Sequence, residues 1–147
     1  MALSRAAIAT LGATLYAACG GAGTGSKAAI PPGPGSPSEV AAIRLFDPTG
    51  GELTFHIPLI TGDTLRIEVR TYAADGHQII PVTGGAKAAF TFMPANLASS
   101  RTVSGDSLAQ DVLATSPPAT EGTLNVILLF LADSSTKTFS GFPVLVH

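Results

Sequence analysis

Three histidines, a row of alternating charges and a set of acidic turns are the residues of this 147-residue chain whose types could do chemistry. His56, His77 and His147 are candidate metal ligands, and a histidine site needs two or three ligands meeting at one point. No pair has i, i+2 or i, i+4 spacing, and His77 follows an Asp75-Gly76 turn, so solvated turn and edge positions are the simpler reading. A copper site joining histidines to Met93 would also need a thiolate, and no cysteine follows Cys19. Asp47, Asp63 and Asp75 carry the oxygens that calcium prefers, but there is no D-x-D-x-D run and Asp-Gly is the ordinary hairpin signal. No serine stands in G-x-S-x-G, and Ser104-Gly105-Asp106-Ser107 has no histidine beside it. Gly20-Gly21 and Gly84-Gly85 lack the strand and helix that a phosphate loop requires. The spacing calls for no catalytic residue, no metal and no cofactor, and a non-enzymatic protein is expected.

Arg66, Glu68, Arg70 and Tyr72 alternate with Leu65, Ile67, Val69 and Thr71, which gives one strand a charged face and an apolar face. The charged face reads in two ways. It is either a solvated face with cross-strand ion pairs of ~1 kcal/mol or less each, or a polar ligand face, with arginine for acidic groups and tyrosine for stacking.

The elements that would position these residues follow the same period of two. Leu53/Phe55/Ile57, Ile43/Leu45, Ala88/Phe90/Phe92 and Leu124/Val126/Leu128/Phe130 each put apolar residues on one side, and Phe139–Val146 is the last strand candidate. Turn signals at Pro48-Thr49-Gly50-Gly51, Gly62-Asp63, Asp75-Gly76, Gly84-Gly85, Pro117-Pro118 and Glu121-Gly122 separate the runs. An all-β sandwich of about seven strands is expected. Ser107–Ala114 fits a short helix or a strand equally well. In the run Val126–Leu131, Ile127, Leu129 and Leu131 point away from the core. They are either covered by Ser107–Pro118 or form a bare apolar surface for a protein partner or for self-association.

Cys19 is the sole cysteine, and it stands where an uncharged stretch, Ala6–Ala18, gives way to Gly, Ser and Pro. The stretch has the length of a signal-peptide core, about 7–15 residues, and falls short of the about 20 that span a bilayer. Leu15-Tyr16-Ala17-Ala18-Cys19-Gly20 resembles the lipobox of bacterial lipoproteins, with Tyr16 where that family usually has an aliphatic residue. The resemblance implies cleavage before Cys19 and a lipid on its sulfur, which would hold the protein at a membrane. Cleavage at a nearby site without lipidation is the alternative. Gly20, rather than Asp, after the cysteine implies the outer membrane in a Gram-negative envelope. Residues 20–38 (GGAGTGSKAAIPPGPGSPS) are too poor in apolar groups to offset the entropy of ordering, so they read as a tether of about 25 Å. The expected organisation is a signal peptide over 1–18, lipidated Cys19 with a tether over 19–38, and one domain over 39–147.

The formal charge is −2, becoming −3 once Arg5 leaves with the signal, and no basic run exists, so nucleic acid is not an expected partner. A lone cysteine cannot form an internal disulfide, so the core alone must hold the domain together.

Ile43–Ile79 resembles the first half of bacterial Ig-like domains of the BIG-2 type, through Pro48, the Gly62-Asp63-Thr64 turn that opens a long strand, and the Asp75-Gly76 turn that closes it. Phe92–Val103 and Gly122–Ile127 resemble its second half. The usual Trp of the family is absent, and Phe90 or Phe92 is expected in its volume. The resemblance implies an Ig-like sandwich serving in the cell envelope as a spacer, adhesion module or binding unit, since this fold does not fix an activity. The alternative expectation is a small-ligand or metal-binding domain using His56, His77 and the charged strand face, and an envelope hydrolase comes third.

Overall fold

The computed structural model describes residues 33–147; the predicted leader, Cys19 and the first part of the tether lie outside the described residues. The chain forms β1 (Gly33–Gly35), a turn of 3-10 helix (Pro37–Glu39), β2 (Ala42–Phe46), β3 (Ile57–Leu59), β4 (Thr64–Tyr72) and β5 (Gln78–Val82). It continues through β6 (Ala86–Met93), β7 (Ala98–Val103), β8 (Asp106–Ala114), β9 (Glu121–Phe130) and β10 (Thr136–Val146). These strands pack as two sheets, an all-β sandwich. Ten strands replace the expected seven or so. One of the extra ones, β1, is three residues long, too short for a period-two pattern to register.

β4 is the spine of the six-stranded sheet. β2 runs antiparallel along one edge, pairing Ala42–Phe46 with Tyr72–Glu68. The other edge is shared, β8 pairing with Thr64–Glu68 and β5 with Thr71 and Tyr72. β7 continues outward from β8, and β1 runs parallel beside β5. The second sheet has the order β3-β10-β9-β6. Alternation sets which side chains meet between the sheets. In β9 it buries Leu124, Val126, Leu128 and Phe130 completely, against Leu45, Ile67 and Val112 of the facing sheet. Each such side chain contributes about 1.5–3 kcal/mol relative to exposure. Phe90 and Phe92 are both buried in this core.

The ambiguous segment Ser107–Ala114 is a strand, the body of β8. Leu108, Gln110, Val112 and Ala114 share its inner face, and Gln110, a polar residue at a core position, interrupts the apolar alternation. The Gln110 amide donates to the Ala88 carbonyl of β6 at 2.8 Å, and the Ser107 hydroxyl donates to the Ala86 carbonyl at 2.6 Å. Two side chains of one sheet thus satisfy carbonyls on the outer edge of the other, a form of edge protection.

The expected strand through Leu53 and Phe55 does not form. The chain turns back on β2 at Gly50-Gly51, and Phe46 bridges to Glu52. The Leu45 N–H then donates to the Thr54 hydroxyl and its carbonyl accepts from the Leu53 N–H, which fills the outer edge of β2. A further turn releases the chain to the other sheet, so Leu53 is buried, Phe55 is 81% exposed and only Ile57 begins a strand.

β10 begins three residues before its predicted start. Its Phe139 and Phe142, three apart, would fall on opposite faces of a regular strand. A bulge between them, with Gly141 at φ +89°, lets Phe139 pair with Val126 and Phe142 with Leu124, both on the inner face.

Sheet pairing also reaches into the predicted tether. Gly35 lies so close to β5 that a Cβ would stand 2.8 Å from Ile79 Cγ2, and its carbonyl accepts from the Thr83 N–H. The pairing therefore includes residues 33–35, ahead of the expected domain start at Glu39. Lys137 fastens this end, its ammonium donating to the carbonyls of Val40 at 2.7 Å and Ser38 at 3.3 Å.

Candidate functional site

The outer face of the six-stranded sheet gathers charge. Arg66, Glu68, Arg70 and Tyr72 share it, as their alternation along β4 requires. β2 adds Arg44 and Phe46, β8 adds Asp111 and β7 adds Arg101. All four arginines among the described residues therefore lie on this one face.

At one end, Arg66 Nε donates to Asp111 Oδ1 at 2.9 Å and Arg101 stands 3.7 Å from the other carboxylate oxygen. The Arg66 hydrogen bond, with the nearby Arg101 charge, holds the Asp111 carboxyl below the ordinary range, and Asp111 in turn raises Arg66. This end sets two guanidinium groups against a single carboxylate.

At the other end, Arg44 and Arg70 are directly opposite one another across the β2–β4 ladder. Like charges so placed are destabilising in a sheet. Each guanidinium turns along the face to an aromatic ring on the diagonal. Arg44 Cζ lies 4.9 Å from the Tyr72 ring centroid and Arg70 Cζ lies 4.0 Å from that of Phe46. Both distances are within cation–π range. Their nearest carboxylates stand beyond hydrogen-bond length, Glu52 at 3.9 Å from Arg44 and Glu68 at 3.8 Å from Arg70. The Arg70 guanidinium covers Phe46, which keeps only 8% exposure although it points outward. The sequence places Arg66, Glu68, Arg70 and Tyr72 together; Arg44 was within reach of the same reasoning, since Ile43 and Leu45 point inward around it. Asp111 and Arg101 depend on the pairing of β8 with β4 and β7, which one chain segment does not reveal.

The outer face of the four-stranded sheet has the opposite character. Ile127 is half-buried, flanked by Ala89 on β6 and Thr138 on β10, while Leu129 and Leu131 are 36% and 47% exposed. Met93 is also exposed on this side. Its outward charged side chains among the described strands are Lys87 and Glu121. Ser107–Pro118 does not cover this face, because β8 belongs to the other sheet.

β5 and β8 diverge where they share the edge of β4, leaving a cleft of about 300 Å³ lined by Val69, Ile79, Ile80, Ser107 and Leu108. The histidines do not converge as a set. The rings of His56 and His147 meet edge to face at 6.2 Å, whereas His77 Nδ1 is 2.6 Å from Asp75 Oδ1 in the β4–β5 turn. Among the described residues no three His, Cys, Asp or Glu side chains are placed to hold a metal ion. Asp47 Oδ1 accepts from the Thr49 hydroxyl and from the Thr49 and Gly51 N–H groups, and Asp133 accepts from the Ser135 hydroxyl and N–H. These carboxylates, like Asp75, close their own turns, and the bonds lower their pKa values. Compared with family models, curated proteins and solved structures, the chain matches none.

Proposed function

We propose that this is an exported lipoprotein of the bacterial cell envelope, cleaved before Cys19 and acylated on its sulfur. Its sandwich, an Ig-like domain resembling the BIG-2 type, acts as a non-enzymatic binding or structural module. The observation that carries the binding role is the sorting of side chains between the two outer faces. The described arginines lie on one face, and the other is nearly free of charge and bears Leu129 and Leu131. A domain whose surface had no task but solubility would spread its charges over both faces. Ile127, Leu129 and Leu131 are the contact residues for a protein partner or a second copy, and the arginine face is the polar contact.

The anchoring half of this reading is tested by growing bacteria that express the full chain with labelled palmitate. Label should enter the protein and be lost in Cys19→Ala. Labelling that persists in Cys19→Ala, or an exported wild-type chain without label, would overturn it.

A further inference from the structure

We propose that the Arg44–Arg70 pair is a binding site for an oxyanion group, phosphate or carboxylate, carried by an anionic glycan of the envelope. Three observations converge on it. Two guanidinium groups are set directly opposite each other on adjacent strands, where a sheet ordinarily avoids like charges. Local rules are broken most often at functional places. Both guanidinium groups lie over aromatic rings, Arg44 at 4.9 Å from the Tyr72 centroid and Arg70 at 4.0 Å from that of Phe46. Among the described residues neither group donates a side-chain hydrogen bond, in contrast to Arg66. Planar, pre-oriented guanidinium forks are the groups that bind carboxylate and phosphate oxygens in pairs. Exposure is sufficient for a ligand to reach them, the side chains of Arg44 and Arg70 being 52% and 35% accessible.

Charge favours the same face. The face sets four arginines against Glu52, Glu68 and Asp111, and the rest of the described chain sets Lys87 and Lys137 against seven carboxylates. An anion is therefore drawn to this face of an otherwise acidic domain. Glu52 and Glu68, at 3.9 and 3.8 Å from the pair, are the counterions that an incoming oxyanion displaces. An open sheet face does not enclose a small molecule, and it suits a chain that lies across it. The inference rests on the envelope-facing reading above for its choice of glycan; the oxyanion chemistry rests on the pair alone.

The test is a titration of the full chain, purified in a non-ionic detergent, with three oligomers: a glycerol-phosphate oligomer, a galacturonate oligomer and a neutral glucose oligomer. Guanidinium Nε–Hε resonances of Arg44 and Arg70 should shift with at least one anionic oligomer and not with the neutral one; which one responds identifies phosphate or carboxylate. Arg44→Gln should raise the dissociation constant at least tenfold, and Arg70→Lys, which keeps the charge but loses the fork, should do the same. Lys87→Gln, on the opposite face, should leave binding unaltered. The site is overturned if neither anionic oligomer shifts these resonances, if the neutral oligomer shifts them equally, or if Lys87→Gln weakens binding as much as Arg44→Gln. An unlabelled Cys19 with binding intact would remove the anchoring proposal and leave this site standing. A labelled Cys19 without binding would remove this site alone.

Discussion

Gln110 reaches out of one sheet to the Ala88 carbonyl of the other, at 2.8 Å, from a side chain that is 3% exposed. Its amide is a polar group inside the sandwich that stitches β8 to the outer edge of β6. A buried acceptor stripped of its donor costs about 1–3 kcal/mol. Gln110→Leu, close in volume, should therefore lower the unfolding free energy by about that amount in urea denaturation. An unchanged denaturation midpoint would show that the bond contributes nothing.

Gly122 is the most closely confined of the described glycines. A Cβ there would stand 2.5 Å from both Leu97 Cδ2 and the Met93 carbonyl oxygen. The carbonyl belongs to the backbone and cannot rotate away, so Gly122→Ala should destabilise by about 1–3 kcal/mol, the usual range for overpacking. Thr123→Ala next to it, with a half-exposed side chain, is the control and should change stability by no more than about 0.5 kcal/mol. Equal effects for the two would contradict the steric reading.

Lys137 ties the segment before β2 to β10 through the carbonyls of Val40 and Ser38. Bonds from a charged donor contribute about 1.5–3 kcal/mol each at most, less where water competes. Lys137→Met should keep the aliphatic packing and lose these bonds. The expected result is faster amide hydrogen exchange at Thr83, whose N–H bonds to Gly35, with little change in the middle of β9. Unaltered exchange at Thr83 would mean that β1 holds to β5 without the lysine.

Four aspartates, Asp47, Asp75, Asp111 and Asp133, have pKa values lowered in the folded chain by hydrogen bonds. In the unfolded chain they return to about 3.9. The unfolded state thus binds protons first on acidification, and stability falls with pH. The stabilisation is complete above the unfolded value and is lost as pH drops through the lower folded values. Urea midpoints should be flat from about pH 7 to 5 as far as these carboxylates are concerned and should decline below about pH 4. Asp111→Asn should shallow that decline, and an unchanged slope would remove Asp111 from it.

Much of the architecture is legible in the sequence because period two is a strong signal in long strands. β4, β6 and β9 each show it, and their inward residues are those the alternation selects. The signal fails where a tertiary bond replaces an apolar contact, as with Gln110 in β8. It fails again at Leu53–Ile57, where alternation is present but the strand is not, because a turn and the Thr54 hydroxyl fill the edge of β2. The Arg66–Tyr72 face is readable from one segment. Its Arg44–Arg70 centre is not, since like charges opposite each other appear only once β2 is paired with β4 in register.

The central claim, a sandwich held at a membrane by Cys19, is tested most directly by intact-mass spectrometry of the protein extracted in detergent from bacteria expressing the full chain. The account predicts a chain that begins at Cys19 and carries the added mass of a diacylglyceryl group. An extracted chain that begins elsewhere, or begins at Cys19 without added lipid mass, would contradict it.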